Sequence, residues 1–281
     1  MYNISIAMAV LPVVLLCFYI YIKDKNKEPF GLLMKIFLLG VVMAVPVVIV
    51  ELAFSYFFDT TGVKSFLLLF LFVFIGVGLI EEGAKFIIAK FIGYDNKEFD
   101  EIYDVVVYSA FASLGFACIE NILYVLNSGL GVAIGRALLS VPGHMCFGVL
   151  MGYFLAMAKV NSVNNNKNLY YRNMIFALFI PALVHTMYDT MIIFASNIQS
   201  PMMFLLFIIF DINMVVVCFF TVSMISRMQV AIKSSSLNNG ANSDKKFYFS
   251  NQETSKIVYC PVCGKYSVDE SFCGRCGYKL K

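Results

Sequence analysis

Residues 65–92 read SFLLLFLFVFIGVGLIEEGAKFIIAKFI. This is one apolar run, longer than the roughly 20 residues needed to cross a bilayer, and it has Glu81, Glu82 and Lys85 set inside it. An ionised group at the centre of a membrane helix costs roughly 2.5–3.5 kcal/mol on insertion scales. Charges that persist at such a position face a polar interior and mark a functional site.

The rest of the chain fits a membrane setting. Of its 281 residues 60% are apolar and 14% charged, and the mean hydropathy is +0.80. These values exclude a soluble domain and indicate an all-α polytopic membrane protein. Measured against a hydrocarbon core of about 30 Å, the sequence supplies seven candidate helices at residues 4–22, 31–58, 65–92, 102–126, 132–159, 173–195 and 202–227. Lysine and arginine collect in alternate connections: Lys23, Lys25 and Lys27; Lys90 and Lys97; Lys159, Lys167 and Arg172; then Arg227, Lys233, Lys245 and Lys246. By the positive-inside rule these connections are cytoplasmic, which puts the amino terminus outside and the carboxyl terminus in the cytoplasm. The first segment lacks a basic leader and reads as a retained helix. The net charge of +3 comes from these loops and points to no nucleic-acid partner. The acidic stretch 95–104 reads as a solvated cytoplasmic loop.

Three domains follow: a membrane domain at 1–228, a Ser/Asn/Gly/Lys-rich flexible linker at 229–256, and a small cytoplasmic module at 257–281. That module holds Cys260-Pro-Val-Cys263-Gly and Cys273-Gly-Arg-Cys276-Gly. Two C-x-x-C knuckles, each followed by glycine, have the spacing of a structural zinc ribbon. Four thiolates saturate the metal and leave no open position, so this zinc is structural rather than catalytic. Cys17, Cys118, Cys146 and Cys218 are scattered over separate helices and read as packing residues.

The polar residues inside the apolar segments are few and concentrated. Beyond Glu81, Glu82 and Lys85, the fourth segment holds Glu120 and Asn121, the fifth Arg136 and His144, and the sixth His185 and Asp189. Both histidines of the chain are among them. Helical spacing places Glu81 with Lys85, Glu120 with Tyr124, and His185 with Asp189 on shared faces at i, i+4. Each pair alone could be a local neutralisation, but spread over four consecutive helices the set is expected to line one shared polar site. Pro142-Gly143 is placed to bend the fifth helix beside His144. Glu51, Asp211 and Asn213 stand apart and read as interhelical hydrogen-bonding groups. Gly131-x-x-x-Gly135 and Gly148-x-x-x-Gly152 read as close-packing surfaces.

The ordered set Glu81-Glu82-x-x-Lys85, Phe116-x-x-x-Glu120-x-x-x-Tyr124, Pro142-Gly143-His144 and His185-x-x-x-Asp189 resembles the motifs of the PrsW-type intramembrane proteases, which are related to the CAAX-protease and bacteriocin-processing (Abi) membrane proteins. The resemblance implies cleavage of a single-span membrane protein on its extracytoplasmic side, typically an anti-sigma factor at the first step of a signalling cascade. It does not reach the zinc ribbon.

Peptide hydrolysis needs an activated water, donors for the oxyanion and an acid for the leaving amine. By analogy with the wider family Glu81 is assigned as the water-activating base, with Glu82 its close competitor. Lys85 orients the pair, His144 and Glu120 position water or protonate the amine, and His185, held by Asp189, polarises the carbonyl. On this reading no catalytic cofactor is favoured and the ribbon zinc is the one metal. Two alternatives stay open: a metal-dependent protease using the same residues, and a transporter or sensor using them as a proton or ion path.

Overall fold

The structure, a computed structural model, describes residues 2–61, 65–128, 130–227, 257–259 and 266–268, with side chains over 6–56, 65–127 and 131–227. The chain divides into two units, Met1–Phe247 and Tyr248–Lys281. In the first, α1 (Tyr2–Lys23), α2 (Phe30–Thr61), α3 (Phe66–Val73), α4 (Leu79–Ile88), α5 (Ile102–Ser128), α6 (Leu130–Leu138), α7 (Ser140–Val163), α8 (Lys167–Ile198) and α9 (Pro201–Arg227) follow in order. They contain seven stretches long and apolar enough to span a membrane: Ile6–Lys23, Phe30–Tyr56, Phe66–Tyr94, Ile102–Asn127, Gly131–Val163, Lys167–Ile198 and Pro201–Arg227.

Helix α5 is the axis of the bundle and is buried along nearly its whole length, whereas α1, α2 and α9 turn large apolar side chains such as Leu11, Leu52 and Phe220 outward. Lipid tails are as apolar as these side chains, so burial gives little drive and close backbone packing must hold the helices. Glycines supply that closeness. A Cβ on Gly40 would sit 2.3 Å from the Ala112 carbonyl oxygen, and one on Gly148 2.7 Å from the Ser109 carbonyl oxygen, so α2 and α7 meet α5 backbone to backbone. Gly148 and Gly152 are thus close-packing positions as expected. Gly131 and Gly135 meet nothing within 4 Å, because α6 is a short separate helix that does not press this face on a neighbour.

Two spans are interrupted. The third contains π-helical turns at Phe74–Gly78 and Ala89–Tyr94 on either side of α4, a distortion frequent at functional sites. The fifth breaks at Leu139 (φ −117°, ψ −62°). Pro142 then falls in the first turn of α7, where its missing N–H leaves no helical bond unmade. The sixth helix begins earlier than the apolar run suggests, since Asn166 caps it by accepting from the Leu169 N–H at 3.2 Å, and the basic Lys167 and Arg172 lie within its first turns.

One end of the bundle gathers the basic connections. Ser226 Oγ donates to the Lys23 carbonyl at 2.5 Å, Asn26 donates to Glu101, and the Lys159 ammonium lies 4.8 Å from the Phe99 ring centre. Here the expected solvated loop is corrected in part: Asp95, Lys97 and Asp100 are exposed, but two of its acids are not. Glu101 and Asp104 are buried, tucked with Asp24 and Glu28 beneath the α1–α2 turn. Burial raises the Asp24 carboxyl above its usual range and pushes that of Glu28 up to about 7.

In the second unit β1 (Ile257–Tyr259) pairs antiparallel with β2 (Tyr266–Val268), Val258 opposite Ser267. Cys260, Cys263, Cys273 and Cys276 lie outside the described residues, as does the linker 229–256.

Candidate active site

Helix α4 carries Glu81, Glu82 and Lys85 within about one turn, and packing against α5, α7 and α8 buries all three to 3% exposure or less. The Lys85 ammonium donates to Glu81 Oε2 at 2.8 Å and to Glu82 Oε1 at 2.7 Å. Its Nζ is also 3.0 Å from His144 Nδ1 on α7 and 4.4 Å from the Phe116 ring centre on α5. A lysine ammonium can only donate, so His144 Nδ1 accepts and the ring proton sits on Nε2, 2.8 Å from Glu120 Oε2.

His185 on α8 closes the cluster from the other side. Its Nδ1 is 3.0 Å from Glu82 Oε1 and 3.9 Å from Glu81 Oε2, and its Nε2 is 3.3 Å from Asp189 Oδ2. The ring stacks on Phe147 at 4.5 Å between centres and lies 5.3 Å from that of His144. All seven site residues expected from the sequence therefore meet in one place. Exposure runs from none at the Lys85 side chain through 12% at Glu120 to 24% at Asp189, so the cluster opens on the Glu120–Asp189 side.

Local backbone explains the approach of α4 to α8. A Cβ on Gly78 would fall 2.3 Å from Thr186 Oγ1 and 2.9 Å from the Ala182 carbonyl oxygen. Glycine at that point lets Glu82 reach His185, one residue before Thr186.

Two further groups belong here: Arg136, one of the polar set but without an assigned role, and Glu51, which the sequence leaves standing apart. Arg136 of α6 pairs with Glu120 Oε1 at 2.9 Å, donates from Nε to Asn121 Oδ1 at 3.1 Å, and lies 4.0 Å from the Tyr124 ring centre. Asn121 in turn donates to the Ala9 carbonyl on α1 at 2.8 Å. Glu51 of α2 lies near enough to Glu81 for their charges to interact, and its Oε1 is buried without a hydrogen-bond partner among the described residues. Its signal in the sequence was its position in an apolar segment, which marks a buried group without naming the partner.

The charges do not balance. Glu81, Glu82, Glu120 and Asp189 face two fixed cations, Lys85 and Arg136, so the cluster calls for further positive charge from protonated groups or a bound ion. The donors fit a metal: Glu81, His144 and His185 each offer an atom within 4.8 Å of the others. Both imidazoles turn Nδ1 inward while a carboxylate backs Nε2, the arrangement that fixes a metal-ligating histidine. Two histidines and a glutamate make a catalytic zinc set with one position left for water.

A seven-span bundle that closes two glutamates, two histidines and a lysine into one buried cluster, on a span broken by π turns, is an arrangement suited to a membrane-embedded hydrolase. The sequence profile of the PrsW family intramembrane metalloproteases matches residues 28–223. The chain is 36% identical over 207 residues to "Protease PrsW" of Oceanobacillus iheyensis, covering 73% of this chain and 91% of that protein. It is 38% identical over 191 residues to the protein of that name from Geobacillus kaustophilus (67% and 79%) and 34% over 193 residues to that from Bacillus subtilis (68% and 84%). No solved structure matches. The chain belongs to the PrsW family and is a membrane protease, which sets aside the transporter alternative.

Proposed function

We propose that the chain is an endopeptidase that hydrolyses a single-span membrane protein, of the anti-sigma-factor class, close to its extracytoplasmic side, with Glu81 as the carboxylate that faces the reaction. The observation that carries the assignment is the position of Glu81 Oε2, 4.0 Å from His144 Nδ1 and 3.9 Å from His185 Nδ1. Glu82 is fully buried and tied by Oε1 to Lys85 and His185, so it anchors the cluster. In a metal-free reaction Glu81 takes a proton from water as its oxygen adds to the scissile carbonyl carbon, His185 donates to the oxyanion, and the proton passes to the leaving nitrogen as the C–N bond breaks.

The convergent Nδ1 atoms favour a metal-dependent form of the same reaction. Glu81, His144 and His185 would hold a divalent ion, which when bound polarises the carbonyl and lowers the pKa of its water. Glu82 is then the carboxylate left to accept the proton, while Glu120 and Asp189 hold the two rings. The basic connections gathered at one end of the bundle support a cytoplasmic carboxyl terminus. Residues 257–281 would form a zinc ribbon through Cys260, Cys263, Cys273 and Cys276, the paired strands flanking the first knuckle in sequence.

Co-expression with candidate single-span proteins tests the activity. A new terminus should appear with the wild type and be absent with Glu81→Gln and His185→Ala at equal expression. Cleavage by those variants would reject the site. Transition-metal analysis of the full chain, the ribbon zinc counted, separates the two forms. Two equivalents in wild type and one in His144→Ala support the bound ion, and one equivalent in both supports the metal-free reaction.

A further inference from the structure

A second cluster of acids lies under the α1–α2 turn, built on different residues from the hydrolytic site. Asp24, Glu28, Glu101 and Asp104 are exposed to 2, 6, 4 and 0%. Asp24, Glu101 and Asp104 each offer an oxygen within 4.8 Å of the others. Some of their oxygens are committed. Asp24 Oδ2 accepts from the Glu28 N–H at 3.3 Å, and Asp104 Oδ2 accepts from the N–H groups of Asp100 at 3.0 Å and Glu101 at 2.6 Å. Glu101 Oε1 accepts from Asn26 and Glu28 Oε2 from the Tyr108 hydroxyl. Two oxygens are left over: Glu101 Oε2 and Asp104 Oδ1 are buried and have no hydrogen-bond partner among the described residues. The ammonium of Lys27 is turned to backbone, donating to the carbonyls of Tyr21 at 2.5 Å and of Asp24.

We propose that Asp24, Glu101 and Asp104 form a binding site for a hard divalent cation of the calcium class. A buried oxygen without a partner loses its hydration and gains nothing in return, and carboxylates held this close repel one another strongly out of water. A doubly charged ion removes both penalties. The donors are all oxygen, without imidazole or thiolate, which selects hard cations over zinc. Three protein carboxylates suit calcium better than magnesium, which keeps most of its waters and takes one or two. Bound there, the ion joins the α1–α2 turn to the first turn of α5, the helix that carries Glu120 into the hydrolytic cluster.

Terbium, a hard-ion stand-in for calcium, tests the site in the purified full-length protein. The chain has 16 tyrosines and no tryptophan, and the Tyr108 hydroxyl is on Glu28, so tyrosine excitation should light bound terbium. The emission should be displaced by Ca²⁺, should survive His144→Ala, and should need about tenfold or more terbium in Asp104→Asn and Glu101→Gln. Thermal unfolding provides the folding control. Without divalent ions Asp104→Asn should melt at or above the wild type, since Asn keeps an oxygen on the two amides and removes a repelling charge, and the Ca²⁺-induced rise of the wild type should be missing. Terbium titrations that match in wild type and both variants, or wild-type emission that Ca²⁺ does not displace, would overturn the proposal.

Discussion

Gly78→Ala probes the contact that builds the candidate active site without touching a charged residue. The new Cβ would lie 2.3 Å from Thr186 Oγ1 and 2.9 Å from the Ala182 carbonyl oxygen. The latter is backbone and cannot rotate away. Thr186 Oγ1 is itself committed to that same carbonyl at 2.7 Å. Restoring a contact of about 3.4 Å requires α4 and α8 to part by roughly 1 Å, which stretches the 3.0 Å Glu82–His185 bond to about 4 Å and ends it. A 1 Å misplacement of catalytic groups costs on the order of 10²-fold in rate. Gly83→Ala is the matched control. It lies in the same helix, next to Glu82, and a Cβ there meets nothing within 4 Å, so the rate should hold and the helix should gain up to about 1 kcal/mol. The assay is the cleavage rate of a co-reconstituted single-span substrate, with unfolding temperatures for both variants. Equal rates for Gly78→Ala and wild type, or a collapse of Gly83→Ala, would refute the claim that this approach sets the site.

Lys85→Met leaves Glu81, Glu82 and His144 without their common donor and should cost about 3–5 kcal/mol of stability, read by thermal unfolding; Glu81→Gln in the same chain should recover part of it. Arg136→Gln removes the charged partner of Glu120 and should lower kcat/KM by about 1.5–3 kcal/mol of transition-state free energy, with partial rescue by Arg136→Lys. Asn166→Ala removes the cap of α8 and should cost about 1 kcal/mol while leaving the kcat/KM of the folded protein at the wild-type value.

The seven spans were legible because each is an apolar run of bilayer length, a signal that needs no tertiary information. The internal spacing of Glu81 with Lys85 and of His185 with Asp189 was legible for the same reason, since i, i+4 neighbours share a face on any helix. Partners across helices were harder. Glu51 and Arg136 stood out as polar residues in apolar surroundings, yet the nearness of Glu51 to Glu81 and the pairing of Arg136 with Glu120 depend on how α2 and α6 seat against the bundle. Pro142-Gly143 announced a bend, but the break falls at Leu139 because proline prefers the first turn of the helix that follows. The π turns around α4 leave no trace in composition. Residues 95–104 carry the charge of an exposed loop, and Asp95, Lys97 and Asp100 are exposed as that charge suggests; the burial of Glu101 and Asp104 comes from the α1–α2 turn that closes over them.

In the proposed reaction the Glu81, His144 and His185 cluster hydrolyses a peptide bond within reach of the membrane. The direct measurement is cleavage of a single-span substrate by the purified chain in liposomes made up in ¹⁸O-water, with the product mapped by mass spectrometry. The expected result is one ¹⁸O in the new carboxyl terminus, a cut near the extracytoplasmic end of the span, and no product from Glu81→Gln or His185→Ala protein that folds as the wild type does. Cleavage that persists in both folded variants would contradict it.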